Sequence, residues 1–285
     1  MNPFVFLRPA SLDETSGLLS QHGEKAKIIA GGTALITMMK QRLLMPEVLI
    51  SLERLEECRQ IFFANDEIRL GSMMTHQEIL THKRLADQFP VLIETMKSVS
   101  NTRVRNVATL GGALAHADPN QDTLVTLLAL GAQVNLRNCD DSRILPLSEF
   151  FIDYYETKLA PEEIITEICI PMPSAKTGSA FKKFLPRSHE DYGVVSIAAS
   201  ISEHNGTCQN CCIALGCVAD TVVRASQAES ILIGHPLSKE AIAEAASAST
   251  AVTDPISDSR GSRTYKKKMT EVFVRRTLME AWSRI

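Results

Sequence analysis

The feature that most constrains this chain is an adjacent glycine pair that occurs twice, as Gly31-Gly32 and as Gly111-Gly112. The first pair follows an apolar stretch at residues 27–30 and the second follows residues 103–108. We interpret both stretches as extended and the residues after each pair as helical. N–H groups at a helix start are unpaired, and glycine lets them approach a phosphate closely. We therefore predict two anion-binding turns that hold the pyrophosphate of one dinucleotide, FAD or NAD, from both sides.

Length and charge narrow the class of protein. The chain has 285 residues, of which 45% are hydrophobic, so it can bury a sizeable core, and its length suggests about two domains. A formal net charge of -3 argues against nucleic acid as a partner, because a phosphate-binding surface needs an excess of Lys and Arg. The first residues lack the pattern of a secretory signal, and no apolar run approaches the roughly 20 residues of a membrane span. We expect a cytoplasmic protein with no membrane span.

The seven cysteines raise the question of a metal site. Cys208, Cys211, Cys212 and Cys217 fall close together, but we interpret residues 207–218 as a strand, in which neighbouring side chains face opposite ways. The cysteine run that holds an iron–sulfur cluster is absent. We favour buried thiols in a reducing compartment over a metal site, and we identify no metal ligands and no catalytic nucleophile–base pair.

Prolines and glycines divide the chain into two predicted domains. Residues 171–178 are the best linker candidate, because two prolines and a glycine interrupt both periodicities there. The first domain, residues 1–173, has a small β–α–β lobe at residues 1–53 and a larger lobe at residues 54–173. The second domain, residues 178–285, begins with strands and ends with helices, the last one capped by Ser262.

The histidines show no metal-ligand or triad spacing. His116 follows the second glycine pair and is a candidate cofactor contact. We expect most of the others at the surface; they are His22, His76, His82, His189, His204 and His235.

An ordered set of motifs gives the chain a resemblance to a known family. The motifs are Ala30-Gly31-Gly32-Thr33, residues 105–112, Ala115-His116-Ala117-Asp118-Pro119 with Asp122, and Lys183 with Arg187, Asp191 and Tyr192. The chain resembles, nearly end to end, the FAD-binding medium subunit of molybdenum-containing hydroxylases, the group of xanthine dehydrogenase and carbon monoxide dehydrogenase. The resemblance implies an α+β fold. It comprises a two-lobed FAD-binding domain (PCMH, or vanillyl-alcohol-oxidase-like) and a smaller α+β C-terminal domain with a three-stranded antiparallel sheet and a helical bundle.

The resemblance also implies which residues contact non-covalently bound FAD. Those in and before the first turn are Lys27, Ile28, Ile29, Ala30, Gly31, Gly32, Thr33, Ala34 and Leu35. Those beyond it are Thr109, Gly111, Gly112, Ala113, His116, Asp122, Ile165, Lys183 and Tyr192.

The resemblance suggests roles for four of these residues, and two of the roles have an alternative. Asp122 resembles the carboxylate at the adenosine end of FAD, and we expect it to cap the following helix as well. Lys183, together with Ile165, aligns with positions near the isoalloxazine ring. Tyr192 either covers one face of the flavin or belongs to the ordinary core.

Two residues depart from the family pattern. Ala34 stands where many relatives have Asp, and Ala113 stands where the family usually has Asn. Backbone N–H groups depend on neither side chain, so we expect FAD to bind, whereas the potential of the ring and its acceptor are harder to infer.

The function implied by the resemblance is electron transfer within a complex. A large molybdenum-cofactor subunit would hydroxylate the substrate, a small subunit with [2Fe–2S] clusters would pass electrons to the FAD of this chain, and NAD+, oxygen or a quinone would accept them. A stand-alone flavoprotein oxidase and a non-catalytic nucleotide-binding subunit remain alternatives. A Rossmann dehydrogenase does not fit, because neither glycine pair belongs to a G-x-G-x-x-G motif.

Overall fold

The computed structural model describes residues 2–188 and 190–285, so His189 lies outside the described residues. The small N-terminal lobe is a parallel three-stranded sheet with helices, in the strand order β1-β3-β2. Its elements are β1 (Val5–Leu7), α1 (Leu12–His22), β2 (Ala26–Ile29), α2 (Leu35–Lys40) and β3 (Val48–Ser51). Ser11 caps α1, because its side chain accepts the N–H of Glu14, and the helix ends at Gly23.

The larger lobe combines helices with a five-stranded antiparallel sheet in the order β4-β5-β10-β6-β7. Its first elements are β4 (Ile61–Phe63), β5 (Glu67–Gly71), α3 (His76–Thr81), α4 (Lys83–Gln88), α5 (Pro90–Ser98), α6 (Thr102–Arg105), α7 (Leu110–His116) and α8 (Asp122–Ala129). The rest are β6 (Gln133–Arg137), β7 (Ser142–Pro146), α9 (Leu147–Phe150), β8 (Phe151–Asp153), β9 (Glu156–Thr157) and β10 (Ile164–Pro171).

The prediction that residues 103–108 are extended is wrong. Residues 102–105 form the helical turn α6, because the Asn101 side chain accepts the N–H of Val104 and thereby caps it. The Arg105 guanidinium then donates to the carbonyl oxygens of Val99 and Ser100, at 2.9 and 3.1 Å, and closes the turn. The second glycine pair therefore follows a helical turn instead of a strand.

The C-terminal part is an antiparallel sheet covered by helices. Its elements are β11 (Thr177–Phe184), β12 (Val195–His204), β13 (Thr207–Gly216), β14 (Val223–Arg224), α10 (Ser226–Leu232), α11 (Lys239–Ala248) and α12 (Arg263–Ser283). The sheet has the order β11-β12-β13-β14, so a two-residue strand joins the three predicted ones. Ser262 caps α12 through the N–H of Tyr265, as predicted.

One hydrophobic core extends across the connection between the two parts. Every residue of α8 is buried, because the larger lobe packs on one side of this helix and strands β12 and β13 pack on the other. The core around Leu124 and Leu128 includes Phe181, Ala198 and Ala214 from the C-terminal part. Among the described residues, no helix combines the length and apolar character needed to cross a membrane.

Candidate functional site

A single cleft with a volume of about 820 Å³ brings the predicted cofactor residues together. Its walls come from both lobes and from the C-terminal part, and the volume is in the usual range for a small-molecule site. The predicted residues that line it are Lys27, Ile28, Ile29, Ala30, Gly31, Gly32, Thr33, Ala34, Leu35, Thr109, Gly111, Gly112, Ala113, His116, Asp122, Ile165, Lys183 and Tyr192.

The first glycine turn presents free backbone donors to this cleft. Gly32 has a φ of +70°, a conformation that glycine adopts without strain and that turns the chain from β2 into α2. Among the described residues, the N–H groups of residues 31–35 donate to no protein acceptor. Such consecutive free N–H groups form a concave anion site.

The two turns contact each other. A Cβ atom on Gly31 would lie 1.8 Å from the carbonyl oxygen of Val107, so only glycine permits the backbone of the first turn to pack on this segment. A Cβ on Gly112 would lie 3.7 Å from the Cβ of Ala30, which is ordinary van der Waals contact. Groups from the two lobes therefore border the same region of the cleft.

The second turn differs from the prediction of outward-facing N–H groups. Gly111 donates its N–H to the carbonyl oxygen of Ser72 at 2.8 Å, and Gly112 donates to the Thr109 hydroxyl at 3.2 Å. A Cβ on Gly111 would lie 2.5 Å from the Cβ of Ser72, so this glycine is needed for backbone packing. The hydroxyl of Thr109 can still donate to a ligand, because its oxygen accepts from Gly112 while its proton has no acceptor among the described residues.

Asp122 and Lys183 form a buried ion pair at the cleft. The distance from Asp122 Oδ2 to Lys183 Nζ is 2.8 Å, and the side chains are 4% and 5% exposed. Burial raises the pKa of Asp122 to about 6, although Lys183 and Ser98 oppose this rise. The other oxygen, Oδ1, has no hydrogen-bond partner among the described residues. A buried acceptor without a partner fits a donor on a bound ligand.

Two polar side chains that the sequence analysis missed lie under the second turn. His76 is 3% exposed, contrary to the expected surface position, and neither ring nitrogen has a partner among the described residues. Burial, and to a smaller extent Arg105, lowers the pKa of His76 to about 4, so the ring is neutral near pH 7. Ser72 is likewise buried and lines the cleft. The capping box of Thr75 with Glu78 marks the start of α3 in the sequence, but nothing local shows that this start faces the cleft.

Aromatic side chains surround the mouth of the cleft. Tyr192 is 49% exposed, so it does not belong to the ordinary core. Burial and the neighbouring Asp118 carboxylate raise the pKa of its phenol. The rings of His116 and Tyr155 lie 5.0 Å apart. Planar rings at a cleft mouth offer stacking surfaces to a flat ligand.

Comparison with known families identifies the two parts of the chain. The model of the "FAD binding domain in molybdopterin dehydrogenase" matches residues 2–173. The chain belongs to this family. The model of the "CO dehydrogenase flavoprotein C-terminal domain" matches residues 179–281. The protein is thus an FAD-binding subunit of the molybdenum hydroxylases, a family of oxidoreductases.

Individual relatives align over nearly the whole length of this flavin subunit. The carbon monoxide dehydrogenase medium chain of Hydrogenophaga pseudoflava is 34% identical, over 99% of this chain and 98% of the relative. Subunit alpha of the 6-hydroxypseudooxynicotine dehydrogenase complex of Paenarthrobacter nicotinovorans is 32% identical, over 99% and 95%. A solved structure of the H. pseudoflava enzyme, lacking the Mo-pyranopterin moiety, has a TM-score of 0.96 at 35% identity and covers 99% of this chain and 98% of its own.

The structure corrects one expectation about Asp122 in this flavin subunit. Asp122 is the first residue of α8 and its carboxylate pairs with Lys183, so it does not cap the helix; Gln121 holds the cap position without a side-chain bond. The 2.8 Å ion pair also means that Asp122 and Lys183 face the same part of the cleft. The contacts expected for Asp122 with the adenosine end of the cofactor and for Lys183 with the isoalloxazine ring stay predictions.

Cysteine geometry agrees with the predicted strand. In β13, Cys211 faces the C-terminal core, whereas Cys212 points toward the carbonyl oxygen of Leu128 in α8. All seven cysteines are unpaired. Within residues 2–188 and 190–285, no group of His, Cys, Asp and Glu side chains is arranged to hold a metal ion.

Proposed function

We propose that this chain is the FAD-carrying electron-transfer subunit of a heteromeric molybdenum hydroxylase. It takes electrons from the [2Fe–2S] clusters of a small partner subunit, after a large molybdenum-cofactor subunit has oxidised the substrate, and passes them to NAD+ or another acceptor. The observation that carries this proposal is the meeting of two lobes in one cleft, which the free N–H groups of residues 31–35 and Thr109 line together.

The residues present fit FAD. The free N–H groups of residues 31–35 would hold the pyrophosphate, and Thr109 would donate to it from the opposite lobe. The unpartnered oxygen of Asp122 would accept a hydroxyl or amine proton of the cofactor. Tyr192, half exposed at the mouth, would cover a face of the ring. When bound, FAD supplies the exchange between single-electron and two-electron carriers, and the chain's residues supply binding and orientation.

Relatives support the assignment to a complex. The similar proteins include a medium chain of carbon monoxide dehydrogenase and a subunit of a dehydrogenase complex. The division into a domain of residues 1–173 and one of residues 178–285 stays part of the proposal, with the second domain placed for subunit docking. A cytoplasmic location is supported by the seven unpaired thiols, which are typical of a reducing compartment.

The visible absorption spectrum of the purified protein tests the proposal. After reconstitution with FAD and desalting, we expect flavin bands at near-stoichiometric occupancy without iron–sulfur absorption. Addition of the reduced partner subunits should bleach these bands, and NAD+ or a quinone should then restore them.

Other outcomes separate the alternatives. Failure of the intact protein to retain FAD would contradict the proposal and favour a non-catalytic subunit. Bleaching by a small organic substrate in the absence of any partner would identify a stand-alone oxidase instead.

A further inference from the structure

A network of charged and polar side chains connects helix α12 to the mouth of the cleft. It begins at Lys266, which is only 2% exposed and whose Nζ lies 3.0 Å from Asp258 Oδ2. Arg260 donates to the same oxygen from Nε at 2.9 Å and from Nη2 at 2.7 Å. Burial opposes ionisation of Asp258, but hydrogen bonds from Lys266 and Arg260 outweigh it and lower its pKa to about 2. The Asp258 carboxylate is therefore ionised at neutral pH.

The third guanidinium nitrogen of Arg260, Nη1, points away from Asp258 and toward the cleft wall. Nη1 lies 3.2 Å from Oδ1 of Asn120, a residue of the cleft wall, and 3.5 Å from the carbonyl oxygen of Gly193. Gly193 is the residue after Tyr192. One guanidinium thus contacts both the loop before α8 and the segment that carries the tyrosine.

The loop before α8 continues the network to Tyr192. With Oδ1 of Asn120 accepting from Arg260, its amide nitrogen donates to Asp118 Oδ1 at 2.8 Å, and its backbone N–H donates to the same oxygen at 3.0 Å. Asp118 is 3% exposed, and its carboxylate lies close enough to Tyr192 to raise the pKa of the phenol. Hydrogen bonds thus connect Arg260 through Asn120 to Asp118, the carboxylate beside Tyr192.

We propose that Arg260 is a positioning residue that sets the orientation of the Tyr192 ring at the cleft through Asn120 and Asp118. The proposal deepens the proposed function, because it rests on Tyr192 covering a bound flavin. Arginine suits the position because its planar fork donates in two directions at once, to Asp258 on one side and to Asn120 on the other. A lysine at this position could not do the same, because its single ammonium cannot donate to Asp258 and Asn120 from opposite sides. Asp258 already has an ammonium partner in Lys266.

The test compares Arg260→Gln with Arg263→Gln in the intact, FAD-reconstituted protein. Arg263 lies three residues further along and forms an exposed ion pair with Asp254, so it is a matched control outside the network. We expect Arg260→Gln to raise the FAD dissociation constant about tenfold, which corresponds to about 1.4 kcal/mol. We also expect it to increase the fluorescence of the bound flavin, because a displaced tyrosine quenches it less. Arg263→Gln should change neither quantity.

A double-mutant cycle with Tyr192→Phe separates positioning from a general structural effect. Tyr192→Phe keeps the ring but removes the hydroxyl beside Asp118, so Arg260→Gln should add little in this background. If Arg260→Gln does not fold, Asn120→Ala interrupts the same series while leaving Arg260, Asp258 and Lys266 paired. It should give the same rise in bound-flavin fluorescence.

The outcomes distinguish this inference from the proposed function. Lack of FAD binding by the unmodified protein would overturn the proposed function and this inference with it. Normal FAD binding by the unmodified protein, combined with unchanged flavin fluorescence in both Arg260→Gln and Asn120→Ala, would overturn the inference alone. The inference would also be overturned if the effects of Arg260→Gln and Tyr192→Phe on FAD binding were fully additive in the double variant.

Discussion

At the residue scale, the four glycines of the two turns serve different physical needs. Gly31 and Gly111 permit contact between backbones, Gly32 permits a positive φ, and Gly112 leaves room for the Thr109 hydroxyl, which a Cβ would approach to 2.7 Å. All four are therefore explained by contacts within the protein or by its backbone conformation before any ligand is considered. The free N–H groups of residues 31–35 are the part of the motif that is directed at a ligand.

Gly32→Ala tests the first turn, with Gly131→Ala as its control. The two glycines have φ values of +70° and +69°, but Gly131 lies outside the cleft. Both substitutions should lower the free energy of unfolding by about 1 kcal/mol, because the Cβ of alanine disfavours a positive φ. Only Gly32→Ala should lower FAD affinity, by about tenfold or more. Equal flavin content in the two variants after desalting would contradict the assignment.

His76 gives a prediction about pH. Its folded-state pKa of about 4 lies below the ordinary 6.5, so the unfolded chain takes up a proton first as the pH falls. Stability is therefore lost between pH 6.5 and 4, by up to about 3 kcal/mol.

The variant His76→Leu should lack this loss. At pH 8 it should be as stable as the unmodified protein or more so, because it removes two buried nitrogens without partners. Urea unfolding of the FAD-free proteins at pH 8, 6 and 4.5 measures the difference. Parallel pH dependences of the two proteins would show that His76 is not the group concerned.

At the scale of elements, one buried ion pair joins helix α8 to strand β11. Asp122 and Lys183 are almost fully buried, and a pair in this environment is costly to break from one side. Lys183→Met should therefore destabilise the FAD-free protein by about 3–5 kcal/mol, since it leaves a buried carboxylate without its cation.

Adding Asp122→Asn to Lys183→Met should restore much of this stability, because no uncompensated charge then remains. Denaturant unfolding of the single and double variants at pH 7.5 measures this coupling. A double variant less stable than Lys183→Met alone would show that the two side chains act independently.

The sequence revealed elements well and their contacts poorly. Ser11, Thr75 and Ser262 begin helices through local hydrogen bonds, so their roles can be read from neighbouring residues. The bond from Gly111 to Ser72 and the ion pair of Asp122 join distant residues, and no local pattern contains them. The resemblance to a family identified residues that line one cleft. The contacts that each of these residues makes could be learned only from the three-dimensional structure.

At the scale of the whole molecule, the shared core predicts a single unfolding transition. The apolar side chains of α8 pack on Ala198 and Ala214 as well as on the larger lobe, so each part loses buried apolar contacts when the other unfolds. Calorimetry should give one peak whose calorimetric and van't Hoff enthalpies agree. Residues 1–173 produced alone should aggregate, because the outer face of α8 would be exposed. Two separate peaks would contradict this interpretation.

The burial of α8 on all sides also limits how members of this family exchange parts. A hybrid could join the N-terminal segment of one relative to the C-terminal segment of another. Its helix α8 would then pack against strands whose side chains are not matched to it in size and shape. Such recombinants should fold only when the residues facing α8 are exchanged along with the strands that carry them.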